Sequence, residues 1–396
     1  MLKKLTSETE LQDILALSEY AFNFSDIAEF QESFLKVWQH TDNWGIVEDG
    51  QLTSQILVFP FHVNVFGQAM KMAGIGNVAT YPEYRGTGGI RQLFTAIFEE
   101  LKENGTVLSY LAPFYQPFYR KFGYEAIFSK IETKVNRQEI TQLANETTGS
   151  MKRVDKSQEK WQKVIKKLYA DTLAKDTGSV IREDWWWQNG FDHAPKTKYA
   201  ICFDEAAKPV GYMAYEMAPG EMVIHEISYL NGFAIRKMAS FVASHSGTFE
   251  TFRFSSKLSE QVKLLFTESR PVAQVINEGM MVKIISLEGF IDQYSFNVKG
   301  ERSFLLAVED QVTPWNQGTW KLTVEAGKGS LRLVSDSLLP EADFSGSIQS
   351  WTQVLLGRTT LETQLFLGNM TADSKRAAHE LSEVLPESDL ALHDYF

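Results

Sequence analysis

The stretch Asn77-Val78-Ala79-Thr80-Tyr81-Pro82-Glu83-Tyr84-Arg85-Gly86-Thr87-Gly88-Gly89-Ile90-Arg91 runs an apolar strand into a glycine-rich turn that opens an amphipathic helix. After the turn, Ile90, Leu93, Phe94, Ile97, Phe98 and Leu101 recur at spacings of three and four, with Arg91, Gln92, Glu99, Glu100 and Lys102 between them. This spacing predicts a helix over about 88–103 with one buried face. Gly86, Gly88 and Gly89 carry no side chains, so backbone N–H groups can approach an anion. The helix N-terminus adds a favourable dipole, and Arg85 and Arg91 add positive charge. A pyrophosphate is the group such a turn is built to hold.

Spacing narrows the kind of cradle. No Lys-Ser or Lys-Thr follows the glycines, as a nucleotide-triphosphate loop requires, and Gly86-x-Gly88 lacks a third glycine at the dinucleotide distance. The pattern Arg85-x-x-Gly88-x-Ile90 resembles the coenzyme A loop of the GNAT superfamily of N-acetyltransferases, whose usual sixth residue is Gly or Ala. A branched aliphatic there, followed by Arg91, is similar to one subgroup, the enhanced intracellular survival (Eis) acetyltransferases. Phe118-Tyr119-Arg120-Lys121-Phe122-Gly123-Tyr124 is similar to the Tyr-x-x-Phe-Gly-Tyr segment of that subgroup, and Phe396 stands at the end of the chain as in Eis-like proteins.

The resemblance implies acetyl-CoA as cosubstrate and assigns residues to it. Val78, Ala79 and Thr80 would pair with the pantetheine arm. Arg85, Gly86, Thr87, Gly88, Gly89, Ile90 and Arg91 would hold the pyrophosphate, and Phe114 and Tyr115 match further coenzyme-contacting positions. Acyl transfer to an amine needs a base for the ammonium, donors for the tetrahedral oxyanion and an acid for the departing thiolate. Backbone N–H groups near Asn77 and Val78 are the expected oxyanion donors, with Gly76 permitting a bulge. Tyr119 is the expected acid and the carboxylate of Phe396 the expected base; Tyr124 is read as packing.

The order of elements extends this reading over the chain. Helical patterns at about 7–20 and 26–39 precede strands at 44–48, 51–60, 62–72 and 74–80. After the amphipathic helix come a strand at 107–111, a short helix at 114–122 and a strand from Tyr124 to about Val135. A similar order follows: a helix over 156–174, strands at 198–204, 209–217 and 221–230, a helix near 234–245 and a strand at 249–255. Its turn, Leu230-Asn231-Gly232-Phe233, has one glycine and no preceding Arg, so coenzyme binding is not expected there. After Met280 come strands at 281–287, 295–298, 303–309, 319–326 and 330–335, then helices near 347–356, 360–367 and 373–384. The expected fold is thus mixed α/β with α+β character: two tandem GNAT-like domains, at 1–145 and a degenerate one at 146–283, then a sterol-carrier-like domain at 284–396.

Composition excludes several classes. A length of 396 residues exceeds one ordinary domain. A net charge of −11 without a dense Lys/Arg cluster argues against nucleic acid as a partner. The seven histidines show no metal spacing, so no metal is expected. Cys202, the single cysteine, lies in an apolar strand and reads as a core thiol. The N-terminus turns polar too early for a signal sequence and no run has membrane-spanning length, which reads as cytoplasmic with no membrane partner. Trp185-Trp186-Trp187 offers either an aromatic wall for a cationic amine or, the reading adopted, an apolar contact between units.

By the resemblance, the acceptor is a cationic small-molecule amine, polyamine- or aminoglycoside-like, with Asp394 as a candidate attractant, and the assembly is a homo-oligomer, a hexamer. A peptide or protein-lysine acetyltransferase, and a non-enzymatic protein binding coenzyme A or an apolar ligand, remain as alternatives.

Overall fold

The computed structural model describes residues 1–23, 27–192, 196–257, 260, 262–297, 300–387 and 389–396. Its first sheet takes β1 (Leu2–Lys4), β2 (Asp42–Glu48), β3 (Gln51–Val65), β4 (Gln68–Thr80), β5 (Leu108–Leu111) and β6 (Glu125–Ala126). Its helices are α1 (Glu8–Phe22), α2 (Ile27–Trp38), α3 (Gly89–Glu103) and α4 (Gln116–Arg120). Ser7 and Glu10 start α1 with a reciprocal capping box. Residue 26, where the second helix was expected to begin, lies outside the described residues. The expected strands at 51–60, 62–72 and 74–80 are two rather than three. The ladder carries Pro60 opposite Ala73 and Phe59 opposite Gly74, and the chain reverses at Phe66-Gly67. Both residues there have positive φ, 48° and 82°, as a two-residue hairpin requires. Pro60 and Gly74 look like breaks in the sequence but lie inside the strands.

The second sheet holds β7 (Ser129–Asn136), β8 (Ser150–Val154), β10 (Lys198–Phe203), β11 (Pro209–Ala218), β12 (Glu221–Tyr229), β13 (Thr251–Ser256) and β14 (Ala273–Glu278). It is accompanied by α5 (Arg137–Ile140), α6 (Glu159–Leu173), α7 (Asp184–Asp192) and α8 (Gly232–Ala243), with the short strand β9 (Asp176–Thr177) standing apart. One segment, β15 (Met281–Ile284), joins the first sheet instead, between β5 and β6.

This exchange corrects two expectations. The single strand expected from Tyr124 to Val135 divides: β6 stays in the first sheet, while β7 pairs with β13 and β14 in the second. The strand at 281–287, expected to open the third unit, completes the first sheet. Where the two crossings meet, the Ile127 and Phe128 N–H groups donate to the Met280 carbonyl at 3.3 and 3.2 Å, and the Gly279 N–H donates to the Phe128 carbonyl at 2.7 Å. Alternating hydrophobicity shows that a segment is a strand; it does not say which of two sheets takes it.

The third unit consists of α9 (Leu287–Gln293), β16 (Glu301–Glu309), β17 (Gly318–Glu325), β18 (Lys328–Ser335), β19 (Phe344–Ser347), α10 (Ile348–Leu355), α11 (Leu361–Phe366), β20 (Met370–Ala372) and α12 (Lys375–Val384). Its sheet has the order β18-β17-β16-β19-β20. The strand expected at 295–298 is not formed over 295–297, where Ser295 makes one isolated bridge to Lys328; residue 298 lies outside the described residues. A fully buried ion pair, Lys283 to Asp310 at 3.3 Å, ties β15 to this unit. The chain then returns to the second unit through β21 (Asp389–Leu390), which runs parallel to β9.

Candidate active site

Strands β4 and β5 are parallel neighbours only over Met72–Ile75 and Leu108–Leu111. Beyond Ile75, β4 continues to Thr80 against β3 alone, so its other edge is left unpaired where β5 ends. Within that stretch the ladder steps from Leu57 opposite Gly76 to Gln55 opposite Ala79. Asn77 takes φ of 50° at this bulge, and its side-chain amide donates to the Ser18 hydroxyl at 2.7 Å. Gln55 donates to the same hydroxyl at 2.9 Å. A bulge bends the strand and leaves a residue out of the ladder. Val78 and Thr80 are half-buried along this edge, whereas Ala79 is buried in the core.

The glycine turn follows this edge in the chain. Arg85, Gly86, Thr87, Gly88 and Arg91 are exposed, and Ile90 is half-buried. Gly88 is the N-cap of α3 with φ of 90°, and nothing lies within 4 Å of where a Cβ would stand. The N-terminus of a fifteen-residue helix thus opens on free space behind a glycine that no side-chained residue replaces without strain. Gly89 is different. A Cβ there would meet the Ser54 hydroxyl at 2.8 Å and Ile46 at 3.3 Å, so its smallness seats α3 on β2 and β3. The Arg91 guanidinium lies 5.6 Å from the centre of the Phe122 ring, which pins it beside the turn.

Tyr119 lies on the short helix α4 among Phe94, Phe114, Phe118 and Tyr124, its ring 5.5 Å from Phe114. Burial, with a smaller contribution from nearby Tyr395, raises its phenol well above the usual value near 10. Tyr124 is fully buried, and its hydroxyl shares a 2.7 Å hydrogen bond with Ser109. Phe114 and Tyr115 are 74% and 60% exposed.

The segment 391–396 packs beside β3 and β4. Ala391 N–H donates to the Thr177 carbonyl at 3.0 Å, and the Ser179 hydroxyl donates to the Ala391 carbonyl at 2.8 Å. The Phe396 ring then packs on Phe61 at 5.0 Å, Phe59 at 5.9 Å and Trp186 at 6.4 Å. A Cβ on Gly74 would stand 2.7 Å from that ring, and one on Gly76 would stand 3.6 Å from the Phe396 carboxyl carbon. Gly74 therefore makes room for the Phe396 ring, whereas Gly76 makes room for the Phe59 ring, at 2.8 Å from where its Cβ would stand.

Asp394 does not serve as the free attractant expected for a cationic acceptor. Arg182 donates to it at 2.7 Å, as does the Trp186 indole N–H at 2.7 Å. Arg182 also donates to Glu226 at 2.7 and 3.3 Å, and Tyr212 donates to Glu226. The guanidinium is 9% exposed and lies over the Tyr169 and Trp187 rings at 4.2 and 4.7 Å. The triplet Trp185-Trp186-Trp187 forms the apolar contact expected: Trp185 stacks on Phe61 at 5.5 Å and on His40 at 4.7 Å, Trp186 meets Phe61 edge-on at 5.0 Å, and Trp187 packs on Tyr169. Cys202 is fully buried, and burial raises its thiol to about 11, which leaves it inert as a nucleophile.

The residues of the turn, the β4 edge and Tyr119 were readable from motifs. Gly74, Phe59, Phe61, Arg182 and Glu226 carried no local signal, because their roles exist only where three distant segments meet.

Fold and site together define an acyltransferase. The GNAT acetyltransferase domain family matches residues 2–127, and a second GNAT acetyltransferase domain family matches 178–284. A sterol carrier protein domain matches 287–391. No curated protein matches the chain. Among solved structures, a conserved Enterococcus faecalis protein described as a probable N-acyltransferase is 34% identical, with all of this chain and 99% of that one aligned at a TM-score of 0.92. A GCN5-related N-acetyltransferase from Anabaena variabilis is 20% identical over the whole of both chains, TM-score 0.86. Eis1 from Mycobacterium abscessus is 17% identical over the whole of both, TM-score 0.81, and shares the fold. The chain belongs to the GNAT acetyltransferases and is Eis-like in its three-part architecture. Among the described residues, no helix is long and apolar enough to cross a membrane.

Proposed function

We propose that the protein is an acetyl-CoA-dependent N-acetyltransferase that moves an acetyl group to the amine of a cationic small molecule, polyamine- or aminoglycoside-like, by direct attack on the thioester. The observation that carries this reading is the approach of the Phe396 carboxyl group to Gly76, at the bulge where β4 leaves β5. That carboxylate takes the proton from the acceptor ammonium, directly or through a water. The backbone around Asn77 and Val78 offers N–H groups to the oxyanion. Val78, Ala79 and Thr80 hold the pantetheine arm, Arg85 to Arg91 the pyrophosphate, and Phe114 and Tyr115 the outer coenzyme.

Tyr119 donates to the leaving sulfur. Burial makes the phenol a weaker acid than free tyrosine, so its role is a hydrogen bond to the thiolate as charge develops there. With Asp394 neutralised, attraction for a cationic acceptor comes from the Phe396 carboxylate, from half-exposed Glu183 and from the aromatic faces of Trp185, Phe59 and Phe61. Three units divided near 145 and 283, trading β7 and β15 across those limits, a cytoplasmic location and a hexameric assembly belong to the same reading.

The test is thiol release from acetyl-CoA across a panel of polyamines, aminoglycosides and lysine peptides. It compares protein ending in the Phe396 carboxylate with a semisynthetic form ending in the amide. Small amines are expected to turn over and the amide to lose activity and the acid limb of the pH profile. Full activity of the amide sinks the assignment of the base. Turnover of peptides alone replaces the acceptor class.

A further inference from the structure

The second unit repeats the splay of the first. Strands β12 and β13 run parallel only over Glu221–Ile224 and Thr251–Phe254, and β11 is bulged at Ala214/Tyr215. Between the diverging strand ends lies a cleft enclosing about 90 Å³ and open to solvent at its mouth. Its body is apolar, with Met213, Ile224, Ile227, Met238, Val242 and Phe254 in the walls, and Leu390 and Leu392 of the C-terminal segment cover one side. The features that would hold a nucleotide are missing. The Asn231 side chain already accepts from the Ala234 N–H at 3.0 Å, which occupies the N-terminus of α8.

Most polar groups lining this cleft are committed elsewhere. Glu226 is bound by Arg182 and Tyr212, and Tyr229 donates to Glu260. Lys257 is paired with Asp176 at 2.5 Å, and His225 lies 3.5 Å from Glu216. Two groups stand out. The Ser256 hydroxyl is buried, its residue 8% exposed, and has no hydrogen-bond partner among the described residues. The Lys130 ammonium has no ion-pair partner among the described residues, although the charges of Asp394, Glu226 and Arg182 all act on it. Two carboxylates, Glu226 and Asp394, thus already act on the Lys130 charge. A cleft that is apolar in its body and provided with an unused buried donor suits a neutral molecule with an oxygen at the end of a hydrocarbon body.

We propose that this cleft binds a neutral acyl ester or amide of medium chain length, its carbonyl oxygen accepting from the Ser256 hydroxyl and its chain lying against Met213, Ile227 and Met238. The site is separate from the acetyl-transfer cleft and does not depend on that function.

Calorimetry of the full chain with 1-octanoylglycerol, and separately with octanoate, tests it below their micelle concentrations. The ester is expected to bind and the acid to bind at least several-fold more weakly, since its carboxylate would add a third negative charge to Glu226 and Asp394, which already act on Lys130. Ser256→Ala is expected to weaken the ester about 5- to 10-fold, the size of one hydrogen bond. Ala239→Phe, which fills the cleft from α8, is expected to abolish binding while coenzyme binding persists. Absence of heat with the ester overturns the proposal. So does ester binding that survives Ala239→Phe, which locates the ligand elsewhere, or octanoate binding as tight as the ester. Where Ala239→Phe fails to fold, an unchanged affinity in Ser256→Ala overturns it alone.

Discussion

Arg182→Met is the sharpest perturbation available, because one buried guanidinium holds two carboxylates far apart in the chain, Glu226 on β12 and Asp394 beside the terminus. Burial pulls the Glu226 carboxyl upward, but the Arg182 charge and the Arg182 and Tyr212 hydrogen bonds outweigh it and hold the group at about 2. Against an unfolded value of about 4.3, such a depression corresponds to about 3 kcal/mol. A depressed carboxylate contributes its stability above the unfolded pKa and loses it as pH falls toward the folded one, so the wild-type protein loses this term between about pH 4.3 and 2.

Methionine fills much of the space and supplies no charge. The two carboxylates then lose their paired cation, at a cost of about 3 to 5 kcal/mol at neutral pH. The Glu226 carboxyl, no longer held down by Arg182, rises, so the variant recovers relative to wild type as pH falls and that carboxylate protonates. The C-terminal segment loses its main anchor and Phe396 leaves Gly74 and Gly76, which lowers turnover at unchanged coenzyme affinity. Denaturant unfolding of both proteins from pH 7 to 4, with thiol release measured in parallel, reads all of this. A stability difference that does not change between pH 7 and 4 means that Arg182 acts by packing alone, and full turnover in the destabilised variant separates the anchor from the chemistry.

Three further outcomes follow from the same geometry. Tyr119→Phe is expected to bind acetyl-CoA normally and to lose roughly 10²- to 10⁴-fold in turnover. Tyr124→Phe, which breaks the bond to Ser109, is expected to cost about 1 to 2 kcal/mol of stability and little activity; an exchange of the two behaviours reverses the roles. Gly88→Val has open space for its side chain but forces a β-branched residue to φ of 90°, so coenzyme affinity should fall while the fold persists, and calorimetry showing wild-type affinity removes the turn from the site. Gly74→Ala sets a methyl 2.7 Å from the Phe396 ring; kcat is expected to fall with the coenzyme KM unchanged, and an unaltered kcat shows that Phe396 is free to shift.

The sequence by itself determined what is local. The glycine turn, the amphipathic face of α3 and the Tyr119 segment are short-range patterns whose chemistry needs neighbours within a helical turn or a bulge, and the elements form close to where periodicity put them. The same locality explains Cys202, whose apolar strand neighbours already implied a buried thiol. Tertiary structure decided everything that depends on which surfaces meet. Only the sheets reveal that β7 and β15 change places, because two-residue alternation is identical in either sheet. Only the docking of β9 between β3 and the C-terminal segment brings Arg182 to Asp394, converting an acid that reads as an acceptor contact into half of a buried anchor. The glycine at 74 looks like an interruption of a strand until the Phe396 ring is laid across it. A residue's spacing reports the periodicity of its own backbone, whereas a contact between residues 182 and 394 is fixed by the packing of the folded chain.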